Sequence, residues 1–167
     1  MSSPSPTVAK IVSDHEELLR HLERRRRDGA TVVFTNGCFD LLHVGHIRCL
    51  QAARAMGDLL VVAINSDASV RRLKGPGRPI VPAAERAEVL AALACVDLVT
   101  FFDDDTPVNL LRRLRPDIHV KGGDYRPDAL PEAPVVAEYG GRVAIVPLVP
   151  GRSTTRIVAA LRKGSAS

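Results

Sequence analysis

Apolar residues along this chain fall into two kinds of pattern. Five short runs carry no polar alternation, at 31–35, 59–64, 98–102, 118–120 and 143–146. That is the signature of strands covered on both faces. Between them apolar positions recur every three or four residues, as on helices that bury one face. Ser13-Asp14-His15-Glu16 reads as a capping box opening a helix with Leu18, Leu19 and Leu22 on one side, closed by Arg24–Arg27 and Gly29. The spacing predicts further helices at 47–56, stopped by Gly57, and at 82–94, with Val89, Leu90 and Leu93 inward. Thr106-Pro107 opens another, which turns Leu110, Leu111 and Leu114 inward, and 135–139 is a short helical piece. Ser153 caps the last, with Ile157, Val158 and Leu161 inward and Gly164 after it.

Strands alternating with helices imply an α/β fold: one doubly wound, parallel five-stranded sheet in a single domain over 13–164. Residues 1–12, rich in Ser and Pro, are expected to be disordered. No internal repeat or second domain is apparent.

Composition narrows the function. With 46% hydrophobic and 25% charged residues over 167 positions, the chain has the balance of a globular domain with a real core. No apolar stretch reaches membrane-span length, and the start lacks a signal-peptide layout. Three cysteines, Cys38, Cys49 and Cys95, make neither a disulfide framework nor a zinc pattern, so a cytoplasmic setting is expected. The net charge of +4 suits anionic ligands without demanding nucleic acid, and 4% aromatics with no Trp offer no platform for stacking bases. The run Arg24–Arg27 reads as a solvated helix end, where cations complement the dipole.

In a doubly wound sheet ligands bind beyond the carboxyl ends of the strands. After the first strand comes Asn36-Gly37-Cys38-Phe39-Asp40-Leu41-Leu42-His43-Val44-Gly45-His46. It joins a glycine loop to two imidazoles beside a helix start, whose unpaired N–H groups and partial positive charge suit phosphate. Gly45 lets an anion approach backbone. Capping histidines, or a metal site using both imidazoles and Asp40, are the competing readings. Neither GxGxxG nor a Walker loop is present. After the second strand lie Asn65-Ser66-Asp67 and a cationic loop from Arg71 through Lys74 to Arg78, able to close over an anion. Arg86, on the next helix, points back toward the site in this reading. After the fourth strand, Lys121-Gly122-Gly123-Asp124-Tyr125 offers amides, a cation and a carboxylate; after the fifth, Arg152-Ser153-Thr154-Thr155 opens a helix with hydroxyls. Nucleophile signatures such as GxSxG are missing. Many phosphate binders without a nucleophile fit direct transfer between phosphates, driven by alignment and charge neutralisation.

These segments together resemble the HxGH nucleotidyltransferase (cytidylyltransferase-like) superfamily. The stretches 35–46, 63–69, 72–75, 105–107, 120–125 and 151–157 resemble in particular the adenylyltransferase domain of ADP-heptose synthases, in its stand-alone form. The resemblance implies a Rossmann-like fold and a reaction of ATP with a sugar 1-phosphate, D-glycero-D-manno-heptose 1-phosphate, giving ADP-heptose and pyrophosphate. It implies catalytic roles for His43, His46 and Lys74. Nucleotide binding would fall to Asn36, Gly37, Phe39, Asp40, Gly45, Lys121, Gly122, Asp124, Ser153 and Thr154, and substrate binding to Asn65, Asp67, Arg78 and Arg86. Mg²⁺ is expected on the phosphates, with no dedicated protein cage, and relatives suggest a homodimer, with neither nucleic acid nor membrane as partner. Pro147-Leu148-Val149-Pro150-Gly151 stands where cytidylyltransferases carry an arginine, which argues against CTP and glycerol phosphate. Arg152 also departs from the pattern. GTP or CTP as donor, another sugar or polyol phosphate as acceptor, and a non-catalytic nucleotide-binding module remain as alternatives.

Overall fold

Strand β2 (Leu59–Asn65) is buried along its whole length, because helices cover both faces of the sheet. The computed structural model describes residues 7–147 and 154–164, with side chains in the latter stretch described at 154 and 157–161. Besides β2 the sheet contains β1 (Val32–Gly37), β3 (Leu98–Phe102), β4 (Ile118–Gly122) and β5 (Arg142–Val146), all parallel, in the order β3-β2-β1-β4-β5. The helices are α1 (His15–Arg27), α2 (Val44–Arg54), α3 (Asp67–Lys74), α4 (Ala83–Ala91), α5 (Val108–Leu114), α6 (Ala133–Glu138) and α7 (Thr154–Gly164).

The period of two along each strand divides the core. Val32, Phe34, Leu59, Val61 and Ala63 pack with Leu18 and Leu22 of α1, Leu110, Leu111 and Leu114 of α5, and Val135 and Val136 of α6. Val33, Leu60, Val62 and Ile64 pack with Leu50 and Ala53 of α2 and Ala87, Leu90 and Ala91 of α4. Carboxylates take up N–H groups near the amino ends of the strands: Asp117 Oδ2 accepts from Val32 N at 2.7 Å and Asp97 Oδ2 from Leu60 N at 2.7 Å.

The strand order reverses between β1 and β4, and their pairing is short there. β1 stays in register with β2 as far as Gly37↔Ile64, but its pairing with β4 ends at Thr35↔Val120. Thr35 Oγ1 donates to Val120 O at 2.9 Å close to that point. Asn36 and Gly37 thus run on beside β2 while Lys121 and Gly122 pair with β5. A cleft opens between the two strand ends.

Several expectations are corrected. Residues 7–12 are ordered, because Ile11 bridges Val99, Lys10 Nζ donates to Val96 O at 2.8 Å and Val12 is buried. The cap of α1 is Asp14, whose carboxylate accepts from Glu16 N, and no box forms at Ser13. The stretch read as a flexible cationic loop contains α3, capped by Ser66 accepting from Ser69 N at 3.0 Å. Helix α5 follows Pro107 without a side-chain cap from Thr106. Val89 is 49% exposed and, on α7, Ile157 and Leu161 are 36% and 64% exposed rather than inward. Arg26, expected in solvent, donates from Nη2 to Leu114 O at 2.6 Å and Arg115 O at 2.7 Å, closing the end of α5. The expected Ser153 cap and Arg152 lie outside the described residues.

Candidate active site

The first turn of α2 is built by its histidines. His43 is the N-cap: its Nδ1 accepts from Gly45 N at 3.1 Å, while its own N–H donates to His46 Nδ1 at 3.3 Å. This is the reciprocal logic of a capping box, performed by two imidazoles. A ring nitrogen that accepts a hydrogen bond is unprotonated, so each neutral ring carries its proton on Nε2. Burial, then the neighbouring His43, pushes His46 down to about 4, so it is neutral at pH 7. The helix begins at Val44, three residues earlier than the apolar spacing suggests. Histidine is not among the usual capping residues, which hid that start.

Phe39 supports the pair. Its ring lies 5.4 Å from His46, between centroids, and a Cβ on Gly37 would stand 3.1 Å from its Cε2. Phe39 has φ of 46°, a left-handed conformation costly for an aromatic residue and tolerated where surrounding contacts fix it. Those contacts run through Asp40, whose side chain is 2% exposed: it accepts from Arg78 Nε at 2.6 Å, Ile80 N at 2.8 Å and Val81 N at 2.9 Å. Asp40 therefore ties the first loop to the segment after α3. The described residues contain no cluster of three or more His, Cys, Asp or Glu able to hold a metal, so the metal reading of Asp40 and the imidazoles has no support there.

Arg86, expected at the substrate, is placed among backbone and carboxylate acceptors of the protein itself. Its side chain is fully buried, donating to Val81 O at 2.9 Å, Cys38 O at 2.5 Å, Asn65 O at 3.0 Å and Asp67 Oδ1 at 2.7 Å. One guanidinium thus gathers the ends of β1 and β2 and the start of α4. Asp67 also accepts from Ala83 N at 2.9 Å, and the Asn65 amide donates to Ser69 Oγ at 3.0 Å.

Two adjoining cavities occupy the cleft. One, of about 380 Å³, is lined by His43, His46, Gly45, Phe39, Asp40, Arg78 and Thr154 among others. The second, of about 590 Å³, is lined by Asn65, Asp105, Lys121, Tyr125, Leu130 and Glu132 among others. Asn36, Gly37, Cys38, Lys74 and Gly122 line both. Lys74, the last residue of α3, therefore stands at the junction. Thr154 Oγ1 donates to Leu41 O at 2.9 Å, drawing the start of α7 toward the histidine loop. Lys121, expected at the nucleotide, instead pairs with Glu132 at 2.9 Å in the larger cavity. Burial alone would raise Glu132, but the hydrogen bond and charge of Lys121 hold it below the usual carboxylate range. Asp67, Arg86 and Asp124 line neither cavity. Glu132 is a cavity residue that sequence reasoning missed, since no motif flags a lone acidic residue on a connection; Asp105 lies in the 105–107 segment of the resemblance but was given no role. Burial pushes the Cys38 thiol up, against a nucleophilic role.

A parallel sheet with a cleft at its switch point, edged by imidazoles, a lysine and the starts of α2 and α7, has the layout of a nucleotide-binding α/β protein. Residues 34–160 match the cytidylyltransferase-like family, and the chain belongs to that family of nucleotidyltransferases. The chain is 61% identical over 143 residues to the bifunctional protein HldE of Syntrophotalea carbinolica, covering 86% of this chain and 29% of that one. HldE of Geobacter sulfurreducens is 58% identical over 171 residues, covering 96% and 35%. The chain thus spans about a third of the length of these relatives. Among solved structures, a lipopolysaccharide core biosynthesis protein from Thermoplasma volcanium superposes with a TM-score of 0.58 at 28% identity, covering 72% of this chain and 97% of that one. Pantothenate synthetase from Thermus thermophilus, at 20% identity and a TM-score of 0.58 over 84% of this chain and 62% of its own, shares the fold.

Proposed function

We propose that this chain transfers the adenylyl group of ATP to D-glycero-D-manno-heptose 1-phosphate, releasing pyrophosphate. The observation that carries the reading is the meeting of two cavities at Lys74, one edged by His43 and His46. The likeness of the motif segments to ADP-heptose synthases and the 61% identity to an HldE protein support this choice of substrates. The triphosphate lies in the histidine cavity, with Nε2–H of both imidazoles directed at its oxygens and the start of α7 near its tail. An oxygen of the sugar phosphate attacks the α-phosphorus in line. A new P–O bond forms as the bond from the α-phosphorus to its bridging oxygen breaks, and pyrophosphate departs with the electron pair. Lys74 neutralises charge where the two phosphates meet, and the imidazoles stabilise charge growing on the α-phosphate. No proton passes through a protein nucleophile.

With cations and imidazoles but no carboxylate cluster in the histidine cavity, the donor set suits Mg²⁺ held by the phosphates, where it would offset their charge. The reading includes a homodimer; light scattering at twice the mass of one chain supports it, and a monomer removes it. The catalytic reading is tested by pyrophosphate release from each of the four ribonucleoside triphosphates with heptose 1-phosphate. Release with ATP is expected. Release with CTP and not ATP rejects the adenylyl assignment, and binding without release from any nucleotide leaves a non-catalytic module.

A further inference from the structure

The larger cavity differs in character from its neighbour. Its far wall carries Glu132, only 4% exposed, with Oε1 paired to Lys121 and Oε2 without a hydrogen-bond partner among the described residues. On the floor shared by both cavities, Asn36 Oδ1 is also buried and without such a partner. Buried acceptors left unpaired are rare in native proteins, and each calls for an explanation. At the mouth stands Tyr125, 57% exposed. Its ring lies so close over Gly123 that a Cβ there would come within 2.3 Å of Tyr125 Cε2, so the bare backbone seats the ring.

These features describe one kind of ligand. A carboxylate accepts hydrogen bonds and cannot donate them, so Glu132 calls for hydroxyl or amine donors and repels a phosphate. Lys121 is already occupied by Glu132, which leaves Lys74, at the junction, as the cation for an anionic end. An aromatic face at a polar cavity mouth suits the apolar C–H face of a sugar ring. We infer that the larger cavity is the acceptor pocket and that Glu132, oriented by Lys121, together with Tyr125 selects a polyhydroxylated phosphate monoester, its phosphate at Lys74 and its hydroxyls toward Glu132. This rests on the adenylyl-transfer reading and adds to it the residues that discriminate the acceptor.

Calorimetric titration of the full chain tests it, using heptose 1-phosphate and, separately, α,β-methylene-ATP with Mg²⁺. Glu132→Gln and Tyr125→Ala are expected to weaken the sugar phosphate at least about tenfold and to leave the ATP analogue within about twofold. Thermal melts confirm folding. Unchanged sugar-phosphate affinity in Glu132→Gln overturns the inference, as does loss of the analogue in Tyr125→Ala, which would make the ring a base platform. A wild-type arm does not depend on the variants: heptose 1-phosphate should bind at least about tenfold tighter than inorganic phosphate, and equal affinity overturns the role of the hydroxyls. If both ligands bind as expected but no nucleotide yields pyrophosphate, the transfer reading fails while the pocket assignment stands.

Discussion

The backbone N–H of His43 donates to Nδ1 of His46, and the two rings lie 3.9 Å apart between centroids. One hydrogen bond thereby fixes a helix start and the tautomer of an imidazole at the edge of the smaller cavity. His43→Asn separates these roles. Asparagine is a good N-cap, so the melting temperature should stay within about 3 °C of wild type. Lacking the Nε2–H, the variant should lose about 100-fold or more in turnover. Steady-state pyrophosphate release and a thermal melt read both; a variant with normal turnover removes the imidazole from the chemistry.

Asp40 should matter for stability first. Asp40→Ala leaves Arg78 unpaired and removes the acceptor for two backbone N–H groups. Arg78 is 20% exposed, so the loss falls below that of a fully buried pair, about 2–3 kcal/mol. For a chain of this size that is roughly 4–12 °C in melting temperature. A melt within 1 °C of wild type would show that the first loop holds without it.

Arg86→Met separates an internal tether from a substrate contact. Three carbonyl oxygens lose the guanidinium and Asp67 Oδ1 keeps only Ala83 N, so stability and turnover should fall together, with a melting temperature lower by about 6 °C or more. A well-folded variant with only a raised KM for one substrate would return Arg86 to substrate binding.

The resemblance and the run of strands and helices made the fold and the histidine loop legible. The functions of Arg86 and Asp40 were not. A charged residue near a ligand loop looks the same in sequence whether it faces the ligand or the backbone that holds the loop. Burial decides, and Arg86 is 1% exposed. Helix α3 was hidden because Arg71, Arg72 and Lys74 crowd a segment followed by Gly and Pro, which masks its single inward residue pair, Ser69 and Val70. Glu132 was illegible because its partner, Lys121, lies eleven positions away on another element.

Acid should destabilise the fold. Burial, followed by the charge of Lys121, pushes His119 down to about 4, and burial with His43 does the same to His46. Between about pH 6.5 and 4 the unfolded chain therefore binds protons that the native state does not, so stability present above pH 6.5 is lost as the pH falls. For the fully buried His119 the loss is on the order of 3 kcal/mol. Urea melts at pH 7.0, 5.5 and 4.5 should show the decline, and His119→Gln should flatten it. A pH-independent midpoint would contradict the assignment.

In the proposed reaction the two imidazoles at the α2 start grip polyphosphate through Nε2–H. Long-range ¹H–¹⁵N spectra of the five histidines, recorded with and without α,β-methylene-ATP, test it directly. Both His43 and His46 should show an unprotonated Nδ1 in the free protein, and their Nε2 signals should move on binding while those of His15, His21 and His119 stay in place. Binding that leaves His43 and His46 unmoved would place the polyphosphate elsewhere and remove both imidazoles from its grip.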